Sequence, residues 1–174
     1  TVESDSSIDA PHSEWQCEFV TPICRWEDIE TLQALIRKPP VPIHGIDDLP
    51  NNMGAYYDHD QSVIFVRRGM EAHDIFRSLS KEIAHAELAA ADPNYTRADA
   101  GFAAYSISYV VCKRYSVDVS GYNFSRLPDS FRDADPQSIR TTLNEISDVA
   151  KDMTGRMNRV LEQNKAPKAR EQER

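Results

Sequence analysis

The segment Lys81-Glu82-Ile83-Ala84-His85 sets a carboxylate and an imidazole three residues apart, on one face if the segment is helical. A histidine at 81 would complete H-E-x-x-H, a pattern in which two imidazoles four apart meet one metal ion while the intervening Glu activates the bound water. Lysine stands there instead. Its ammonium, with an ordinary pKa of about 10.4, repels a cation and stays charged unless strongly desolvated. The expectation is that Lys81 takes the place of the metal and pairs with a nearby carboxylate, Glu82 or Asp99.

The element that must carry these residues is a helix over 71–91. The stretch has no Gly or Pro, and Ile75, Phe76, Leu79, Ile83, Ala86 and Ala90 recur at three- and four-residue steps. Glu71 and Asp74 in its first turn suit the helix dipole, and Asp92-Pro93 stops it. Along one slowly drifting stripe lie His73, Arg77, Lys81 and His85, each four apart. Such a stripe could line a cleft for an anionic ligand such as a peptide carboxylate. For His73 and Arg77 a solvated helix face is the expectation. His85 stands beside the core positions Ala84 and Ala86, so it should be buried and hydrogen-bonded.

Around this helix the chain divides readily. Residues 1–14 are polar, and Trp15–Val20 suits a short strand. Trp26, Ile29, Leu32, Leu35 and Ile36 predict a short helix over about 26–37, ended by Pro39-Pro40. Residues 41–52 show no regular pattern. Ala55-Tyr56-Tyr57 and Ser62–Val66, around the polar Asp58-His59-Asp60-Gln61, predict a β-hairpin over about 55–66. A second, alanine-rich helix over 97–115, bearing Phe102, Ile107, Val110 and Val111, is apolar nearly all round and should be central. One helical turn is expected near 129–132. Asp135-Pro136 then opens a long helix to 164, whose residues Ile139, Leu143, Ile146, Ala150, Met153, Met157 and Val160 form a heptad-like seam. That seam is expected to pack along its own domain rather than on a second chain.

Composition narrows the function classes. A formal charge of −8 argues against a general nucleic-acid or anionic-membrane surface. Three cysteines (Cys17, Cys24, Cys112) are too few for a disulfide framework, and they fit a reducing cytoplasm. No apolar run is long enough to span a bilayer. Neither a Gly-rich phosphate loop nor G-x-S-x-G occurs. Glu87 and Asp92 read as helix-surface acids. A Thr start and the polar, charged tail 165–174 suggest one domain of a longer polypeptide.

The order of hairpin, helix with x-E-x-x-H-A, and alanine-rich helix resembles zincin-like metallopeptidase domains. Residues 56–88 resemble the C-terminal domain of ArdC-type antirestriction proteins. Ile64-Phe-Val-Arg-Arg-Gly-Met70, Asp74-Ile-Phe-Arg-Ser-Leu79 and Ala84-His-Ala-Glu-Leu88 are similar to LtrC-like proteins of conjugative elements, whose chains are very large. The resemblance covers roughly 41–164, the zincin-like domain, preceded by an arm over 1–40. It implies an α+β fold in which a small antiparallel sheet or hairpin packs on two core helices, with the long C-terminal helix behind them. It also implies Glu82 as general base, His85 as second zinc ligand, and Lys81 at the first-ligand position. The third ligand falls on Tyr105 or, in a shifted register, on Asp99.

The expected function is a non-catalytic, degenerate zincin-like module that binds or scaffolds within a larger mobile-element protein. No cofactor is expected, and the partner is a protein or peptide together with the rest of the parent polypeptide. The alternative is a zinc-dependent metallopeptidase using His85 and displaced ligands, from Asp99 and His73 or His59. Nucleic-acid binding has the mobile-element context in its favour and the charge against it.

Overall fold

The structure is a computed structural model and describes the backbone of residues 26–171 and the side chains of residues 29–165. The strand expected at 15–20 and Cys17 and Cys24 lie outside the described residues. The fold is α+β. Its elements are α1 (Trp26–Ile36), β1 (Ile43–Ile46), β2 (Ala55–Asp58), β3 (Val63–Arg67), α2 (Ala72–Ala91), α3 (Arg97–Arg114), α4 (Asp129–Arg132) and α5 (Pro136–Glu171). A 3₁₀ turn at Pro50–Asn52 precedes β2.

The sheet departs from the antiparallel expectation. β3 is central, pairing antiparallel with β2 (Tyr57 opposite Ile64) and parallel with β1 (Ile43 opposite Ile64), so the sheet is mixed. β1 falls in the stretch that showed no pattern. Four residues, Ile-His-Gly-Ile, are too few to display alternation, and only the backbone of β3 makes them a strand. The hairpin turn is held by Asp58, whose carboxylate accepts from the Gln61 backbone N–H (3.0 Å) and the Gln61 side chain (2.8 Å). Ala55, Tyr57, Ile64 and Val66 alternate along β2 and β3 as the buried face.

That face rests on α2, and α3 and α5 pack behind it. Glu82, Ile83, Ala84, His85 and Ala86 are buried in succession. Five consecutive residues cover more than one turn, so α2 is covered around most of its circumference from Glu82 to Ala86. Any polar group there must find its partner inside the protein.

The α5 seam is buried from Ile146 to Val160 against its own domain. Glu87 was expected as a surface acid. It instead forms an ion pair with Arg156, tying α5 to α2. Tyr115, at the end of α3, donates its hydroxyl hydrogen to Asn158 Oδ1 (2.7 Å). The helix also continues past residue 164 to Glu171. The second helix is not apolar all round in effect: Val110 is 42% exposed, while Ala103, Ala104, Ile107, Val111 and Cys112 face the core. Among the described residues no helix is long and apolar enough to cross a membrane.

One glycine is fixed by space. A Cβ on Gly54 would collide with Ser78 Oγ and lie 3.0 Å from Ser78 Cβ and 3.2 Å from Met70 Sδ. Gly54→Ala is therefore expected to lower the unfolding free energy by about 1–3 kcal/mol through overpacking. Urea titration checks this, and an unchanged midpoint would mean that the β2–α2 contact yields at no cost.

Candidate functional site

Glu82 is fully buried and accepts three N–H hydrogen bonds. Arg97 Nη1 donates to Oε2 at 2.8 Å and Arg97 Nη2 to Oε1 at 2.9 Å, a two-pronged fork from the first residue of α3. The Tyr57 backbone N–H donates to Oε2 at 2.9 Å. Lys81 Nζ lies 3.5 Å from Oε1, but its side chain is 41% exposed and it is the looser partner. The Arg97 guanidinium also sits 4.7 Å above the centre of the Tyr56 ring. One carboxylate thus joins the sheet, α2 and the start of α3.

The electrostatics follow from this packing. Burial works against the Arg97 charge, but the hydrogen bonds and charge of Glu82 outweigh it and hold Arg97 above its ordinary pKa. His85 is buried, and its Nδ1 shares a 2.9 Å hydrogen bond with the Tyr95 hydroxyl. Burial pushes its pKa down to about 4; Glu82 partly opposes this, and Arg97 and Lys81 add to it. Burial likewise pushes the Tyr95 hydroxyl up to about 12. Both groups are therefore neutral at pH 7. The charges that remain are two cations around one anion.

His59 completes an aromatic wall. Its Nδ1 is 3.3 Å from the Tyr57 hydroxyl, and its ring centre is 5.1 Å from that of Tyr95. His59 and His85 therefore touch the same tyrosine. The other sequence candidates are placed elsewhere. Asp99 closes a helix cap, its carboxylate accepting from the Thr96 hydroxyl (2.7 Å) while its N–H donates to Thr96 Oγ1 (3.2 Å). The Tyr105 hydroxyl accepts from the Asn123 backbone N–H (2.7 Å), and its ring packs on Tyr122 and Phe124. His73 lies beside Glu71 (3.4 Å) and Asp74 (3.7 Å). Arg77 pairs with Asp74 and with Asp118. Neither joins the Glu82 cluster.

No protein-family model matches the sequence, and no curated protein or solved structure matches it. The zinc ion that the zincin resemblance implies must be judged on the residues themselves, and they do not fit it. Among the described residues no three His, Cys, Asp or Glu side chains converge as a ligand set. The carboxylate that would act on a metal-bound water already receives three N–H donors. Two cationic side chains, Lys81 and Arg97, lie against it. A divalent ion here would meet that positive charge at close range.

Arg97, Tyr95 and the Tyr57 N–H escape a reading of the sequence. The signal that would have found Arg97 is indirect. A glutamate on the core side of a helix has to be compensated, and Arg97 is the residue that opens the next helix, after the loop 92–96.

Proposed function

We propose that this chain is a non-catalytic, zincin-like module that serves in binding or scaffolding, as a domain of a larger mobile-element protein. The observation that carries this reading is the Arg97 fork on Glu82. A general base needs a free lone pair aimed at its water and a pKa suited to the proton it takes. Glu82 instead accepts two charge-assisted hydrogen bonds and one backbone bond, the pattern of a structural anion. His85 is engaged with Tyr95 rather than with a second imidazole four residues back.

Metal analysis tests the reading. Protein purified without chelator is expected to hold far less than one zinc per chain, and EDTA should leave its melting temperature unchanged. A chain stabilised by bound zinc would lose stability on chelation. Lys81→His alone is expected not to recruit zinc, because Arg97 still covers Glu82. Stoichiometric zinc together with chelator-sensitive peptide hydrolysis would replace this reading with the metallopeptidase one.

A further inference from the structure

We propose that the groove between α3 and α5 is a docking site for an acidic amphipathic helix of a partner protein. The surface is separate from the Glu82 cluster and does not rest on the zincin reading. It is an open groove of about 600 Å³, with Val110 and Arg114 on one wall and Leu143, Ile146, Ala150 and Lys151 on the other. Val110 is 42% and Leu143 52% exposed, so two of the four exposed large apolar side chains among the described residues meet in this one groove. The reason lies in the α5 seam. From Ile146 onward it is covered by its own domain, but Leu143, one step earlier, is half exposed.

The shape and charge of the groove narrow the guest. Its α5 wall runs from Leu143 to Asn158, about 22 Å of helix at about 1.5 Å per residue. That length matches roughly four turns of a guest helix laid alongside. Ser147, Ala150, Thr154 and Gly155 keep the floor shallow, so a backbone can approach closely. The charged lining residues are Arg114 and Lys151, with no acid among them, although the whole chain carries −8. Lys151 also reaches Asp148, at 3.5 Å, but this pair is exposed and leaves the ammonium accessible. An apolar stripe of Leu, Ile or Val flanked by Asp or Glu is the complement. A second copy fits poorly, because a two-fold contact would set these basic residues against one another.

The test is a displayed library of helical peptides selected on the full chain, with binding of the enriched sequences read by fluorescence anisotropy. Enriched peptides are expected to carry acidic flanks, to bind at least tenfold more weakly to Leu143→Glu and to Val110→Glu, and to lose most of their salt dependence on Arg114→Gln/Lys151→Gln. Circular dichroism and melting of each variant confirm an unchanged fold, as expected for exposed positions. Three results would overturn the proposal: no enrichment, enriched peptides that bind Leu143→Glu as tightly as the wild type, or a concentration-dependent dimer in sedimentation that Leu143→Glu abolishes. The last would give the groove to a second copy.

Discussion

Replacing Arg97 with methionine lowers the unfolding free energy by about 3–5 kcal/mol, because it leaves a fully buried carboxylate without its cation. The Arg97 side chain is 34% exposed, so water can reach the space it leaves. This screening puts the loss near the lower end, about 3 kcal/mol. Lys81 does not rescue the site, since its ammonium is 3.5 Å away on an exposed stem and makes no fork. A double-mutant cycle isolates the pair. Glu82→Gln keeps an acceptor for the Tyr57 N–H and removes the charge, so the variant carrying both changes should be more stable than the two single losses would sum to. Strict additivity in urea titrations, or a loss below about 1 kcal/mol for Arg97→Met, would show that the fork is not what holds α3 to α2.

Acid should destabilise the protein through His85 before most carboxylates titrate. Its folded pKa of about 4 lies below the ordinary 6.5, so the unfolded chain takes up the proton first as the pH falls. The stabilisation is complete above pH 6.5 and drains away between there and about pH 4. Between pH 7.5 and 4.5 it amounts to about 2.5 kcal/mol. His85→Asn, whose amide can still meet the Tyr95 hydroxyl, removes the titration. The check is unfolding free energy against pH for both proteins. Wild type should lose about 2.5 kcal/mol more than the variant over that window, and parallel curves would refute the buried neutral imidazole.

What could be read from residues alone was whatever repeats over several turns. The periodicity of Ile75, Phe76, Leu79 and Ile83 marks α2, and the steps of the seam from Ile146 to Val160 mark the buried face of α5. The hairpin shows itself by its β-branched and aromatic runs around a polar turn. β1 does not, since four residues with a glycine have no period and become a strand only by pairing with β3. The site divides in the same way. Lys81, Glu82 and His85 announce themselves by type and spacing. Arg97 is fifteen positions from Glu82, and its role depends on how α3 crosses α2, which no local pattern encodes. Glu87 misleads for the same reason, because its cation comes from Arg156, in a helix far along the chain. Val110 looks like core by composition, yet it lines the groove between α3 and α5 and stays 42% exposed.

The hydrogen bond from Tyr57 to Glu82 also bears on how the sheet meets the outside. β2 is an outer strand, and outer strands offer unpaired N–H groups to any extended peptide or neighbouring chain that can align with them. Here the helix beneath reaches up and occupies one of those donors with a carboxylate that is itself clamped by a guanidinium. Strand addition along β2 would have to strip that carboxylate from its donor. The ion pair thus blunts the β2 edge of the sheet against fibre-like growth while it fastens the helices.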